Sequence, residues 1–516
     1  MITASHNPVA DNGVKMVEPD GGMLPQAFEP VATELANCQT DDDVVAVLRD
    51  MVLGQAQQAS GARRENLTVL VGHDTRPSAP QLLEAALAGI RALGVHAHSC
   101  GCVTTPQLHF LVYESNHGAA ASSSEGPAAP PLQSYYDTIL GAFLELASPT
   151  TSTTSTASTS ESAPMVVYVD CANGVGAAQL KPVAEALAGR GIELRLRNTG
   201  AGGGQLNHRC GADFVQKDRL PPTEWEDVPD GARCCSVDGD ADRLVYFSPQ
   251  PPAEAAEAAE AKDGGSAAAA RGIALWDGDK VAMLAAVFIR DLMAQLPAGL
   301  MDGVRVCCVQ TAYANGASTA YLRDVLQLPT VCTPTGVKYL HEAAHDADLG
   351  IYFESNGHGT VLFSKGLRER LQAAGEHPAA KELLLLSRLI NQTVGDAISG
   401  LLLVELILRR KAWTLAEWQA LYTDLPSRQL KLKVADRAAI TTTDAERSCV
   451  TPPGLQAAID EAVAKVPQGR AFARPSGTED AVRIYAEAAT QQEADELART
   501  VAQLVYDKAG GVGPRP

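Results

Sequence analysis

Short apolar runs that alternate with helical stretches are the feature that most restricts the fold of this chain. Each run ends at a polar turn that contains small residues and opens into a helical pattern, for example from about Ala79 to Leu93. The predicted strands of this kind are Leu67–Val71, Val166–Val169, Val304–Val309 and Val331–Thr333. Continuous apolar strands joined through helices indicate parallel-type sheets covered on both faces.

The length of 516 residues predicts several domains, because a single hydrophobic core stops growing at about 250–300 residues. The C-terminal part differs from the rest. Gly469–Ala488 is predicted to form two strands joined by a turn, and Gln491–Lys508 is an amphipathic helical pattern. We therefore predict three α/β domains and a smaller C-terminal α+β domain. The predicted boundaries are 1–147, a Ser/Thr-rich linker at 148–164, then 165–295, 296–425 and 426–516.

Low-complexity segments interrupt this pattern. Between Ser148 and Ser162, 12 of 15 residues are Ser or Thr, and an Ala/Glu/Gly-rich insertion occupies 250–271. A third segment, Ala119–Pro131, has a similar bias. Such segments cannot bury enough apolar surface to offset their ordering entropy, so we predict exposed loops or linkers.

Composition limits the partners and the compartment. The formal net charge of −19 argues against nucleic acid as a partner. No apolar run is long enough to span a membrane, and Ile398–Leu408 is predicted to be a buried helix instead. Eleven cysteines without a CxxC pair are typical of a reduced cytosolic protein. We therefore expect a cytoplasmic protein that binds neither nucleic acid nor membrane.

A run of small polar residues near the start of the chain is the first candidate for chemistry. Pro8 pushes Asn7 out of the helical region, and this favours a tight turn that presents the Ser5 hydroxyl to solvent. A serine of this kind is more often a cap or turn residue than a nucleophile. No Ser-His-Asp spacing or GxSxG elbow accompanies it, so a hydrolase is a weak alternative.

A second loop carries three alternating carboxylates, Asp238, Asp240 and Asp242. The loop joins two predicted strands, Cys234–Val237 and Leu244–Phe247. Alternate side chains of a flat strand lie about 6.6 Å apart, so the loop must curl before the three oxygens can share a cation. A calcium EF-hand would need Gly and Glu where this chain has Arg243 and Pro249. Against a solvated acidic turn, the carboxylates favour a Mg²⁺ site.

Two more polar loops lie between predicted strands. Glu354, Asn356 and His358 alternate after Ile351–Phe353, and they suit the recognition of sugar hydroxyls. The later loop is composed of Arg474, Ser476, Gly477 and Thr478. It offers a guanidinium, hydroxyls and a glycine that would permit an anion-binding backbone. Each loop taken alone also fits an ordinary polar hairpin.

The order of these four loops resembles the α-D-phosphohexomutase family, and in particular its members that act on N-acetylglucosamine phosphates. The matching segments extend over nearly the whole chain. They are Thr3–Lys15, Thr104–Gln107, Gly211–Phe214, the 238–243 loop, Gly336–Lys338, the 354–359 loop and the 474–479 loop. The resemblance implies three related α/β mixed-sheet domains around a central cleft, followed by the smaller α+β domain.

The resemblance also implies roles for these residues. Ser5 would be the phosphorylated carrier and a ligand of one Mg²⁺, together with Asp238, Asp240 and Asp242. Lys15 would lie near the phosphoserine and serve in proton transfer, and His358 would be a further catalytic residue. The predicted substrate-binding residues are Arg243, Lys338, Glu354, Asn356, His358, Arg474, Ser476, Gly477 and Thr478. The implied reaction interconverts N-acetylglucosamine 6-phosphate and 1-phosphate through a sugar bisphosphate that also acts as activator, in UDP-N-acetylglucosamine biosynthesis.

Some expectations remain open. The family has a first strand before the serine loop, so the N-terminal domain is predicted to be truncated and the native product to begin upstream of Met1. The alternatives are a phosphoglucomutase or phosphomannomutase, an inactive truncated relic and, more distantly, a glycosyltransferase. The phosphorylated amino sugar is the expected partner, and the protein is expected to be a monomer or a weak dimer.

Overall fold

A computed structural model describes residues 1–55, 67–118, 129–148, 164–251, 271–477 and 479–516. The described chain forms two compact units. The first comprises Met1–Leu275 and Arg388–Leu403, and the second comprises Trp276–Ser387 and Val404–Pro516. The predicted insertions at 119–131, 148–162 and 250–271 fall almost wholly outside the described residues, so their loop character stays a prediction.

Two sheets belong to the N-terminal half of the chain. Their strands are β1 (Thr68–His73), β2 (His96–Cys102), β3 (Met165–Asp170), β4 (Ile192–Arg197), β5 (Cys234–Val237), β6 (Leu244–Gln250) and β7 (Gly272–Trp276). Strands β1 and β2 pair in parallel, and the other five form a sheet in the order β4-β3-β5-β6-β7. In that sheet β3 pairs in parallel with β4 and β5, whereas β5 and β6 are antiparallel. The sheet is therefore mixed.

Eight α-helices accompany these sheets among the described residues. They are Glu29–Asn37, Asp41–Gln55, Ala79–Ala92, Thr105–His117, Gln133–Ala147, Gly176–Gln179, Lys181–Leu187 and Ala212–Asp218. The Thr104–Gln107 motif forms a capping box in which the Thr104 and Gln107 side chains satisfy each other's backbone N–H groups. The helical stretch that follows β3 is divided at Leu180, because Pro182 lacks the N–H group that a continuous helix needs.

Three sheets belong to the C-terminal half. Their strands are β8 (Val306–Thr311), β9 (Thr330–Thr333), β10 (Leu349–Phe353), β11 (Gly359–Phe363), β12 (Ser427–Lys433), β13 (Thr441–Thr443), β14 (Ser448–Thr451), β15 (Arg470–Pro475) and β16 (Ala481–Glu487). The orders are β11-β10-β8-β9, β12-β16-β15 and β13-β14. Strand β10 is parallel to β8 and antiparallel to β11. The last two sheets are antiparallel throughout.

The remaining helices include the apolar helix and the C-terminal amphipathic helix that the sequence predicts. The α-helices are Gly278–Met293, Gly316–Ala320, Val337–His345, Lys365–Ala373, Pro378–Leu389, Ala397–Lys411, Leu415–Gln419, Leu455–Val463 and Gln491–Ala509. Helix Ala397–Lys411 contains the apolar run that was predicted to be buried, and every residue from Ile398 to Leu408 is buried. No helix among the described residues is both long enough and apolar enough to cross a bilayer.

These elements confirm the predicted α/β architecture with mixed sheets and an α+β C-terminal region. The strands predicted to be joined through helices do pair in parallel, whereas the β5–β6 and β10–β11 pairs, which short polar loops join, are antiparallel. The reason is loop length: five or six residues can return the chain antiparallel, whereas a parallel crossover needs a dozen or more. These two short loops carry the candidate metal and sugar residues.

The first residues of the chain pack against strand β1. The backbone N–H of Ile2 donates to Gly72 O at 2.8 Å, and that of Thr3 donates to Gly13 O at 3.0 Å. The backbone N–H of Lys15 donates to Met1 O at 2.8 Å. These contacts fix the backbone that leads into Ser5.

Candidate active site

Ser5 lies in a strained and buried turn. Its φ of 45° falls in the left-handed region, which non-glycine residues seldom adopt. The turn is held by the Thr3 hydroxyl, which accepts the Ser5 N–H at 3.1 Å, and by an Asn7 N–H bond to Ala4 O. Ser5 is only 6% exposed. The expectation that the turn presents the hydroxyl to solvent was therefore wrong, because the hydroxyl donates to the buried Asp240 carboxylate instead.

Two side chains that were not predicted from the sequence donate hydrogen bonds to the backbone of this turn. Arg76 Nη2 donates to Asn7 O at 2.8 Å and to Ser5 O at 3.4 Å. Asn207 Nδ2 donates to Ser5 O at 2.8 Å. Arg76 pairs with Asp74, and both side chains are fully buried. The signal available in the sequence was the Asp74-Thr-Arg76 turn after the first strand.

The three aspartates converge as predicted. One carboxylate oxygen from each of Asp238, Asp240 and Asp242 lies within 4.8 Å of the other two. The loop curls because Ala241 adopts a φ of 55° and donates its N–H to Asp238 O. Asp238 Oδ1 then accepts the backbone N–H groups of Asp242 and Arg243 at 3.1 and 3.2 Å.

The charge of this cluster is suited to a cation. Burial and then the neighbouring Asp242 and Asp240 carboxylates raise the pKa of Asp238. Asp238 Oδ2 and Asp240 Oδ1 are buried and accept no hydrogen bond within the described part of the chain. Buried carboxylate oxygens without donors are costly, whereas oxygen ligands of this kind are what Mg²⁺ binds. The residues present therefore fit a magnesium ion.

Asp240 connects this cluster to the serine. Its Oδ2 accepts hydrogen bonds from the Ser5 hydroxyl at 3.0 Å, Lys15 Nζ at 2.8 Å and the Thr105 hydroxyl at 2.7 Å. Lys15 Nζ also lies 2.9 Å from Asp242. Burial acts to lower the pKa of Lys15, but the two carboxylates outweigh it and the net shift is upward. Lys15 thus lies beside the serine as expected, and Thr105 is a neighbour that sequence reasoning did not single out.

Arg243 follows the three aspartates in the chain, and its guanidinium pairs with Asp213. Its Nη1 donates to Asp213 Oδ1 at 3.0 Å, while its Nε is 3.9–4.0 Å from Asp238 and Asp242. Asp213 lies in the Gly211–Phe214 motif. The structure therefore ties that motif to the metal loop through Arg243.

The predicted sugar-reading residues share one hairpin turn in the second unit. The turn joins β10 to β11, and Gly357 has a φ of 89° that favours glycine. Asn356 Nδ2 approaches Glu354 Oε2 at 3.4 Å, and Asn356 Oδ1 accepts the His358 N–H at 2.9 Å. Glu354 and Asn356 are half-buried and His358 is buried. The three side chains are thus brought together.

The turn packs against the first residues of helix Gly278–Met293. Gly278 N–H donates to Ser355 O at 3.4 Å, and the Ser355 hydroxyl lies 3.5 Å from Asp279 Oδ2. Asp279 Oδ2 also accepts the Asn315 N–H at 3.1 Å. The Asp277-Gly-Asp-Lys280 segment was not recognised from the sequence as a support for the sugar turn.

The candidate phosphate loop follows strand β15. Arg474 lies near its end, Ser476 is 7% exposed, and the backbone N–H of Ser476 donates to Ala481 O. Gly477 does not adopt a positive φ and has open space where a Cβ would be. The backbone in this conformation therefore does not require a glycine there. The predicted residue Thr478 falls outside the described residues.

Lys338 and Arg483 are two further positively charged residues of the second unit. Lys338 is the second residue of helix Val337–His345 and is half-buried. Arg483 pairs directly with Arg474 across β15 and β16, so both guanidinium groups project from the same sheet face. Arg483 was missed from the sequence, although its position opposite Arg474 could have been counted across the predicted hairpin.

Models of known protein families match most of the chain. The phosphoglucomutase/phosphomannomutase models match with α/β/α domain I over residues 1–43 and 39–126 and with the C-terminal domain over 430–504. The models of phosphoacetylglucosamine mutase AMG1 match with domain II over 126–245 and with domain III over 277–413.

Relatives and solved structures agree with these models. Human phosphoacetylglucosamine mutase is 44% identical over 522 residues, which cover 100% of this chain and 88% of the human protein. The crystal structure of Aspergillus fumigatus N-acetylphosphoglucosamine mutase in complex with GlcNAc-6P and magnesium matches with a TM-score of 0.84 at 40% identity. A complex of the Aspergillus mutase with glucose 1,6-bisphosphate matches with a TM-score of 0.81 at 40% identity. Both matches cover 99% of this chain and 88% of the other.

Proposed function

The chain belongs to the phosphoacetylglucosamine mutase family, and on that basis we propose how its residues divide the work of the reaction. The reaction interconverts N-acetylglucosamine 6-phosphate and N-acetylglucosamine 1-phosphate through a phosphoserine and a sugar bisphosphate. One observation supports Ser5 as the carrier of the phosphoryl group. Its hydroxyl lies 3.0 Å from Asp240 Oδ2, and Asp240 is one of three clustered carboxylates.

The first unit supplies the reacting groups. Ser5 Oγ carries the phosphoryl group, and the P–O bond to Oγ breaks as a bond forms to the free hydroxyl of the sugar phosphate. That hydroxyl loses its proton, and Ser5 Oγ regains one when the phosphoryl has left. Lys15 Nζ reaches the same Asp240 oxygen as the serine hydroxyl. Lys15 would therefore stabilise negative charge on Ser5 Oγ and supply its proton.

Magnesium is the cofactor of this reaction, and Asp238, Asp240, Asp242 and the phosphorylated Ser5 would hold it. When bound, the ion neutralises negative charge on the phosphoryl oxygens. The buried carboxylate oxygens that accept no hydrogen bond among the described residues support this assignment. Arg76 and Asn207 keep the Ser5 backbone in place for the transfer.

The second unit supplies recognition. Glu354 and Asn356 would bind the sugar hydroxyls, and His358 would bind them and exchange the proton of the reacting hydroxyl. Arg474, Ser476, Gly477 and Thr478 would hold the phosphate that is not transferred. Lys338 and Arg483 would add positive charge for the same phosphate, and Arg243 would be an anion contact within the first unit. A phosphate dianion gains charge-assisted hydrogen bonds from such a set.

A coupled mutase assay tests the function. With Mg²⁺ and a trace of sugar bisphosphate, the wild type should convert N-acetylglucosamine 6-phosphate faster than glucose or mannose phosphates. Ser5→Ala should lose turnover and its intact-mass phosphate adduct, because no carrier remains. Ser134→Ala, at a partly exposed serine near the start of a helix, is the matched control. Full activity of Ser5→Ala would refute the covalent carrier, and a preference for hexose phosphates would favour the phosphoglucomutase or phosphomannomutase alternative.

The compartment, the assembly and the domain division are proposals of the same kind. All 11 cysteines are free thiols, which supports a reducing compartment and hence the cytoplasm. We propose a monomer or weak dimer, and four domains with boundaries near 147, 165, 295 and 425. Cell fractionation, sedimentation and limited proteolysis test these three statements in turn.

A further inference from the structure

The hairpin of β13 and β14 has an unusual tip. Three consecutive residues adopt left-handed backbone angles: φ is 52° at Asp444, 53° at Ala445 and 67° at Glu446. None of them is a glycine, and such conformations persist only where surrounding contacts compensate for their cost. Arg447 holds the tip through its backbone N–H and its guanidinium, both of which donate to Asp444, and Glu446 adds contacts to other elements.

Glu446 binds two groups on different elements of the second unit. Its Oε1 accepts a hydrogen bond from Arg474 Nη1 at 2.9 Å, and its Oε2 accepts the Thr335 N–H at 2.8 Å. The side chains of Glu446 and Arg474 are 17% and 16% exposed. Arg474 Nε also donates to the Tyr313 hydroxyl at 3.3 Å. The guanidinium is thus held on two sides by residues far from it in sequence.

We propose that Glu446 is a positioning residue of the phosphate-binding arginine. The proposal rests on the proposed function, because it takes Arg474 as a phosphate ligand. An arginine side chain has many rotamers, and ordering it at the moment of binding reduces affinity. Glu446 orders Arg474 in advance. Through Thr335 it also ties the β13–β14 hairpin to the loop that leads to Lys338, a second cation predicted to contact substrate.

Substitutions of Glu446 should change substrate affinity more than turnover. Glu446→Ala should raise the KM for N-acetylglucosamine 6-phosphate roughly tenfold, the effect of losing about one charge-assisted hydrogen bond. Glu446→Gln keeps an acceptor for Arg474 but turns an amide donor towards the Thr335 N–H. It should raise KM about threefold, a partial rescue. In both variants kcat should stay within about threefold of wild type, because the phosphoryl transfer itself is untouched.

A double-mutant cycle separates this role from a general structural one. In an Arg474→Ala background, Glu446→Ala should have little further effect on KM, because its target is gone. Glu461→Ala is the matched control, since Glu461 is 74% exposed and forms an ion pair with Lys465 on the next turn of its own segment. Thermal unfolding of every variant shows whether the fold survives. An unchanged KM in Glu446→Ala, or the same increase in KM with Arg474 present or absent, would overturn the proposal.

Direct binding distinguishes failure of this inference from failure of the proposed function. Calorimetric titration with N-acetylglucosamine 6-phosphate measures affinity whether or not the sugar is turned over. A wild type that binds but does not turn over refutes the proposed function alone, and weaker binding by Glu446→Ala would still support the inference. A wild type that turns over the sugar, with equal binding by Glu446→Ala, refutes the inference alone. A wild type that does not bind the sugar phosphate refutes both.

Discussion

Gly278→Ala tests how the β10–β11 turn, which carries the predicted sugar-reading residues, is supported. A Cβ at this position would lie 1.8 Å from the backbone oxygen of Glu354 and 2.8 Å from its carbonyl carbon. Side-chain Cβ atoms essentially never come closer than 3.0 Å to such atoms. Either the turn or the start of helix Gly278–Met293 must therefore move by at least about 1.2 Å, the difference between 3.0 and 1.8 Å.

This displacement should affect catalysis more than stability. Overpacking of this kind typically costs about 1–3 kcal/mol, which for a unit of this size lowers Tm by several degrees. A shift of about 1 Å in substrate-positioning groups can cost about 10²-fold in rate. We therefore expect kcat/KM for N-acetylglucosamine 6-phosphate to fall by about two orders of magnitude, while Ser5 in the other unit remains phosphorylated.

Three measurements check this prediction. Steady-state kinetics give kcat/KM, intact mass gives the phosphorylation of Ser5, and thermal unfolding gives Tm. Gly141→Ala is the control, because this helical glycine has nothing within 4 Å of its missing Cβ and alanine favours helix. Wild-type kcat/KM in Gly278→Ala would show that close packing beneath Glu354 does not place the sugar turn, and would refute the reasoning.

Two other substitutions test the predicted metal site and the predicted phosphate site. Asp240→Asn removes the negative charge of the carboxylate that accepts the Ser5 hydroxyl, and it should lower kcat by about 10²–10³. The rates are measured across a magnesium titration. Asp227→Asn is the control, because the Asp227 side chain is 66% exposed. Activity equal to wild type at every magnesium concentration would contradict the metal assignment. Arg474→Ala should raise the KM for the sugar phosphate by at least about tenfold and lower kcat less, compared with the exposed Arg195→Ala. An unchanged KM would remove Arg474 from the site.

Much of the local structure could be predicted because it depends on neighbours in sequence. Cys234–Val237 was predicted as a strand with the bounds that the structure shows, and Ile398–Leu408 lies within a buried helix as expected. Apolar periodicity, turn residues and caps decide such elements over a few residues. The convergence of Asp238, Asp240 and Asp242 also follows from one short loop, so the residue pattern alone was enough to predict that their carboxylates meet. That they bind Mg²⁺ stays a prediction.

The environment of the serine could not be predicted in the same way. The hydrogen bond from Ser5 to Asp240 joins residues 235 positions apart, and the bond from Asn207 to Ser5 joins residues 202 apart. No local pattern encodes which distant side chain meets which backbone oxygen. For this reason the burial of Ser5 and the roles of Arg76, Asn207 and Thr105 emerged only from the packed fold.

The sequence by itself determined the alternation of strands and helices, the four polar loops and the chemistry that their side chains can perform. All of these depend on residue type and on spacing within a few residues. Only the tertiary structure decided how each loop is held: the serine turn by Arg76 and Asn207, the sugar turn by Gly278, and Arg474 by Glu446. Such support depends on contacts between elements that are distant in the chain, and these contacts exist only when folding brings the elements together.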